Sequence, residues 1–89
     1  MSWVEYKGDS DYEIYTEYPY WIRRKNYQCR NNEYGTSDHL YCKMKSNKVY
    51  KAFIIATQFI PNPNNYKHAE LINKDNYDKY SIDNIRWIP

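Results

Sequence analysis

The stretch "HLYCKMKSNKVYKAFIIATQFIP", residues 39–61, contains a change of hydrophobic period, and that change decides the fold class. Leu40, Cys42 and Met44 fall on one face of an alternating segment, Ser46-Asn47 supplies a tight turn, and Val49 restarts the alternation. This is the pattern of a β-hairpin. From Ala52 the spacing widens: Ala52, Ile55, Ala56 and Phe59 share one face of a helix, and Pro61 stops it. A strand is the competing reading of this segment, because Phe53-Ile54-Ile55 is β-prone.

Upstream, "DYEIYTEYPYWIRRK" (residues 11–25) repeats the alternation, with Tyr12 and Ile14 before a turn at Glu17 to Pro19, and Trp21 and Arg23 after it. A first hairpin is expected there, with Tyr27 to Asn32 as a candidate extra strand. Downstream, "PNPNNYK" (61–67) reads as a loop. "SIDNIRWIP" (81–89) suits a short helix, capped by Ser81 and turning Ile82, Ile85 and Trp87 inward. The expected class is α+β: two antiparallel β-hairpins, then a short helix and a further C-terminal region.

A chain of 89 residues encloses one modest core, so a single domain over residues 1–89 is expected. Twelve tyrosines supply much of the apolar content, and a phenol needs water or a partner, so the core should be aromatic with wet edges. Thirteen basic against eleven acidic side chains is not the strongly basic balance of a generic nucleic-acid binder. Residues 1–45 hold seven of each sign, and residues 46–89 hold six basic and four acidic. Neither half is a charged tail. Cys29 and Cys42 form no CxxC pair, which argues against structural zinc and for free thiols in a reducing compartment. No apolar run approaches the ~20 residues that span a bilayer, and the N-terminus lacks a signal-peptide core. A soluble intracellular protein with no membrane partner is expected.

Two blocks resemble small HNH homing endonucleases of phages and large DNA viruses, members of the ββα-metal or His-Me finger nucleases. "WVEYKGDSDYEIYTEYPYWIRRK" (3–25) is similar to the motif that precedes such nuclease domains. "AFIIATQFIPNPNNYKHAELINKDNYDKYSIDNIRW" (52–87) is similar to the nuclease core, with "FIPNPNN" and "DNIRW" its most specific pieces. The resemblance implies an N-terminal motif over 1–25 and a truncated HNH-like ββα region over 52–89. In that family a histidine is the general base for the attacking water, a neighbouring carboxylate or amide binds a divalent metal, and a following helix completes the metal site.

Aligned from Phe59, the metal-ligand position falls on Glu70 and the general-base position on Leu71, which cannot take a proton. A one-residue shift substitutes Ile72 and changes nothing. His68 lies three residues early and, on an extended strand, points to the face opposite Leu71. The family's His-Arg pair falls on Ala52-Phe53, and its Asp-Gly turn on Asn73-Lys74. Asn84 is retained, and a side chain bonding loop backbone accounts for it without nuclease activity. The family's last metal ligand would lie beyond Pro89.

The resemblance therefore implies a scaffold without its chemistry. The packing positions Trp3, Tyr12, Ile14, Ile22, Ile54, Ile55, Phe59, Ile60, Ile72, Ile82, Ile85 and Trp87 are kept. No catalytic residue, cofactor or metal is assigned, with Glu70 only a remnant ligand position. The leading reading is a catalytically inactive protein-interaction module or assembly subunit of a phage or large DNA virus, in host cytoplasm, with Tyr18, Tyr20, Tyr27 and Tyr34 as interface candidates. The alternative is a non-enzymatic DNA- or RNA-binding protein using Arg23, Arg24, Lys25, Arg30, Lys43, Lys45, Lys48 and Lys51. A residual nuclease using Glu70, Asp75 or Asp78 is the third.

Overall fold

The structure, a computed structural model, describes residues 2–89. Seven strands and one helix follow in the order β1 (Trp3–Glu5), β2 (Tyr12–Tyr15), β3 (Ile22–Arg24), β4 (Tyr41–Met44), β5 (Asn47–Tyr50), α1 (Lys51–Phe59), β6 (His68–Leu71) and β7 (Ile85–Ile88), with a 3-10 turn at Ile82–Asn84. The class is α+β, as the change of period at residue 50 indicates. Three small antiparallel sheets, β1-β2-β3, β4-β5 and β6-β7, surround the helix. The Cα radius of gyration is 12.4 Å, close to the ~12 Å of a folded chain this long.

Both hairpins are present, each with an adjustment. β1 adds a third strand to the first, with Val4 opposite Ile14 and Ile14 opposite Ile22. In the second, Met44 pairs with Asn47, so the turn is Lys45-Ser46, one residue earlier than the sequence indicates. Both turn residues have positive φ, 51° and 68°, the geometry that matches strand twist across a two-residue loop. Tyr27 to Asn32 forms no strand; two of its amides reach the first sheet, Tyr27 donating to the Arg24 carbonyl at 3.1 Å and Asn31 to the Ile22 carbonyl at 2.8 Å.

Helix α1 has nine residues, no side-chain cap and no acidic residue in its first turn, so packing rather than propensity holds it. Ile54 enters a cluster with Tyr6, Tyr12, Ile14, Ile22, Cys42 and Met44, while Ala52, Ile55 and Ala56 enter another with Leu71, Tyr80 and Ile85. Tyr20 and Phe59 pack against both. Burial on two sides explains why Phe53-Ile54-Ile55 looks β-prone yet is helical: a sheet lies on each flank. Gln58 is buried but satisfied, its Oε1 accepting from the Lys7 amide at 2.8 Å and its Nε2 donating to the Glu5 carbonyl at 3.3 Å.

The C-terminal segment departs from expectation. Instead of a helix over 81–89 there is one 3-10 turn and then strand β7, which pairs Leu71 with Ile85 and Ala69 with Trp87. Ile85 and Trp87 are two apart, which fits one face of a strand, and β6 supplies the hydrogen bonds a helix would have made internally. Ser81 makes no side-chain cap. Ile72, expected in the core, is exposed just beyond β6, on the side away from Leu71.

The tyrosines behave as the composition predicts. Tyr6, Tyr12 and Tyr80 are buried, and two of their hydroxyls accept hydrogen bonds from backbone amides. Tyr12 Oη accepts from the Lys45 amide at 3.2 Å, and Tyr80 Oη from the Leu40 amide at 3.0 Å. One phenol from each cluster thus pins one end of the β4-β5 hairpin.

Candidate binding face

Of the positions that the HNH resemblance marks on and after β6, Leu71 and Asn84 are buried, whereas His68 and Glu70 lie on the surface. On β6, Ala69 and Leu71 face the helix while His68 and Glu70 face outward, opposite Ile88 and Arg86 of β7. Leu71 is 6% exposed, inside the cluster with Ile55, Tyr80 and Ile85. Glu70 Oε2 accepts from Arg86 Nε at 2.9 Å and Nη2 at 2.6 Å. Asn84 is buried and braces the loop between the two strands: its Oδ1 accepts from the Asn73 amide at 3.0 Å, and its Nδ2 donates to the Asn73 and Lys79 carbonyls, both at 2.9 Å. Among the described residues, no three His, Cys, Asp or Glu side chains come together as a metal-binding group.

The eight candidate phosphate-binding cations divide in two. Arg23 pairs with Glu13 at 3.1 Å across β2 and β3 and lies over Trp3 at 4.0 Å; Lys25 pairs with Glu5 at 2.6 Å. Lys45 is held by Asp11 at 2.6 Å and Asp9 at 3.1 Å, and these carboxylates raise its ammonium above its ordinary pKa. Lys51 is buried, its ammonium on the Glu33 carboxylate and 5.7 Å from the Tyr80 ring. These four serve the fold, and Lys51 in particular is out of a polyanion's reach. Arg24, Arg30, Lys43 and Lys48 have no carboxylate partner among the described residues and lie instead over aromatic rings.

The four interface tyrosines do not form one patch. Tyr27 is exposed in the segment after β3 with no aromatic neighbour among the described residues. Tyr18 is 49% exposed and meets half-buried Tyr20 edge-on at 6.0 Å, while Tyr20 packs on Phe59 at 5.1 Å and belongs to the core rim. Tyr20 also holds a φ of 56°, a conformation costing a bulky residue ~1–3 kcal/mol, tolerated where packing fixes it from both clusters. Tyr34 stands apart from these three.

Tyr34 joins the free lysines instead. Its amide and carbonyl exchange hydrogen bonds with those of Tyr41 at 2.8 and 3.0 Å, which sets it beside the β4-β5 ribbon. Gly35 permits this: its φ is 93°, and a Cβ there would stand 2.6 Å from the His39 carbonyl oxygen. The inward face of the ribbon carries Cys42, Met44 and Val49. Its outward face carries Tyr41 opposite Tyr50 and Lys43 opposite Lys48. Tyr34, Tyr41 and Tyr50 form a row with ring centroids 5.7 and 6.2 Å apart, and the end rings are 40% and 44% exposed. Lys43 Nζ is 5.3 Å from the Tyr34 ring, and Lys48 Nζ is 4.6 Å from Tyr41 and 5.2 Å from Tyr50. Two like charges directly opposite each other destabilise a strand pair, and no carboxylate on the ribbon relieves them.

The sequence places Tyr34 among the interface tyrosines and Lys43 and Lys48 together among the phosphate-binding cations, and does not single out Tyr41 or Tyr50. The period-2 alternation of Tyr41, Lys43 and then Lys48, Tyr50 on the face opposite Cys42 was the signal available. No protein family, curated protein or solved structure matches this chain.

Proposed function

We propose that the chain is a non-enzymatic binding module on a degenerate HNH-like scaffold, and that it binds single-stranded nucleic acid across the outer face of the β4-β5 ribbon. The observation that carries this reading is the row Tyr34, Tyr41, Tyr50 with unpaired Lys43 and Lys48 on the same exposed face. Each ring-to-ammonium contact at an exposed site is worth ~0.5–1 kcal/mol, whereas a base stacked on an aromatic side chain is worth ~1–3 kcal/mol. A base therefore displaces the ammonium from the ring, and the released lysine meets the adjacent phosphate. Spacings of 5.7 and 6.2 Å are below the ~6.8 Å, twice the 3.4 Å rise of stacked bases, needed to slide a base between two rings. Bases stack on the outer faces of Tyr34 and Tyr50 instead, faces that paired bases inside a duplex cannot reach.

Absence of cutting follows from Leu71 at the aligned general-base position, since removal of a general base typically costs ~10²–10⁴-fold. An oligonucleotide gel shift in Mg²⁺ tests both halves: a retarded band recovered at full length is expected. Cleavage of the oligonucleotide, or no retardation at low salt, contradicts the reading.

A protein partner is the second reading, favoured by Tyr18 and by fully exposed Tyr77 beside Asp78, which lie near the Tyr18 phenol, a group that partial burial and then these two neighbours raise above its ordinary pKa. That end of the molecule fits a basic protein surface, as an assembly subunit of a phage or large DNA virus would require. Tyr77→Ala with Tyr18→Ala would abolish such an association and leave oligonucleotide retardation intact.

A further inference from the structure

A cleft of about 500 Å³ opens on the side of α1 between its C-terminal half, the 61–67 loop and Trp87 of β7, and nothing in the HNH resemblance or the ribbon accounts for it. Its volume lies in the ~300–1,000 Å³ range of small-molecule sites. Its walls are aromatic: Phe53 and Trp87 meet edge-to-face at 5.6 Å, and Tyr66 closes the loop side. Lys7 and Lys67 stand at the rim, both exposed and without a carboxylate partner among the described residues, and none of the lining residues is acidic.

The walls are fixed before any ligand arrives. Trp87 Nε1 donates to the Ile60 carbonyl at 3.1 Å. Asn62 accepts from the Tyr66 amide and donates to the Tyr66 carbonyl, both at 2.9 Å, so the loop is closed on itself. The side chains of Gln58 and Asn62 are thus spent on structure, leaving two ammonium groups and the Tyr66 hydroxyl for a ligand.

We propose that this cleft is a second binding site, for a small planar aromatic ring carrying a phosphate, of the class of nucleoside monophosphates: the ring lies against Trp87 and Phe53, and the phosphate meets Lys7 and Lys67. The site is independent of the ribbon and stands or falls separately from it. The cations demand an anion, the aromatic walls a flat ring, and the volume a single ring system with its sugar rather than a chain.

Titration of the full chain with adenosine monophosphate, adenosine and inorganic phosphate, followed by amide and indole N–H chemical shifts, tests this. The nucleotide is expected to bind saturably with a dissociation constant below about 1 mM, moving the signals of Thr57, Gln58, Tyr66, Lys67 and the Trp87 indole. Adenosine and phosphate alone should each bind at least about tenfold more weakly, because each engages half of the site. Lys7→Ala and Lys67→Ala, both at exposed positions where folding is not at stake, should each weaken nucleotide binding by about tenfold. The proposal is overturned if no saturable binding occurs, if the lysine variants bind as tightly as the parent, or if the shifts fall on Tyr41, Lys43 and Lys48 of the ribbon instead.

Discussion

Leucine at position 71 occupies a place where an ionisable side chain would be expensive. It is packed against Ile55, Tyr80 and Ile85, so Leu71→His would introduce the residue type that HNH nucleases use as general base at the cost of a well-filled apolar position. We expect that variant to lose about 2–4 kcal/mol in a urea melt and to leave supercoiled plasmid uncut in Mg²⁺ or Mn²⁺. Cleavage by it would mean that the scaffold still holds a working geometry. Tyr80→Phe should cost about 1–2 kcal/mol in the same melt, since it leaves the Leu40 amide without its acceptor. That residue 71 carries no ionisable group was legible in the sequence; that it is buried beside Tyr80 and Ile85 was not. The burial of Lys51 was not, because its partner Glu33 is 18 residues away and no local pattern distinguishes a lysine that pairs inward from one that faces water.

Among the elements, the β4-β5 hairpin carries the functional claim and shows a conflict between stability and binding. Lys43 faces Lys48 across the pair, and a fold with no use for that arrangement would gain by reversing one charge. Lys48→Glu should therefore raise stability by about 0.2–1 kcal/mol while sharply weakening oligonucleotide binding. A variant that is both more stable and an equally good binder would remove the ribbon from the account. The turn is a separate matter: Ser46 holds a φ of 68° that glycine adopts without strain, so Ser46→Gly should raise the melting temperature by several degrees and leave binding unchanged. The alternation that defines the hairpin was visible in sequence, and its turn was misplaced by one residue because Lys45 is an unusual choice for a left-handed turn position. The C-terminal strand was read as a helix because Ile82 and Ile85 fit a helical face and only Trp87 favours a strand. The deciding partner, β6, lies across a loop closed by Asn84.

At the scale of the whole molecule, a net charge of +2 conceals how the charges are used. Six of the thirteen basic and seven of the eleven acidic side chains are in ion pairs, leaving Lys7, Arg24, Arg30, Lys43, Lys48, Lys67 and Lys74 against Glu17, Asp75, Asp78 and Asp83 among the described residues. The four acids lie in the 16–21 and 73–84 loops, none of them on the ribbon. Composition gave nucleic acid no support because ion pairing is a property of the fold.

The buried acids predict a limit at high pH. Burial raises the Cys42 thiol from its ordinary 9.0 to about 11 and the Tyr6 phenol from 10.0 to about 12. Below pH ~9 both are protonated folded or unfolded, and their contribution is complete. Above it the unfolded chain loses these protons first, so stability falls as pH rises through the folded values. Melting temperature should decline from pH ~9 upward, and Cys42→Ala should flatten the part of that decline between pH ~9 and ~11.

Fluorescence anisotropy of a labelled single-stranded oligonucleotide, titrated with the chain at several salt concentrations, tests the central claim most directly. For single strands, log affinity falls with log salt by ~0.7 per phosphate neutralised, so replacing Lys43 and Lys48 by alanine should reduce the slope by about 1.4. Binding without that change in slope, or no binding at low salt, would contradict the account.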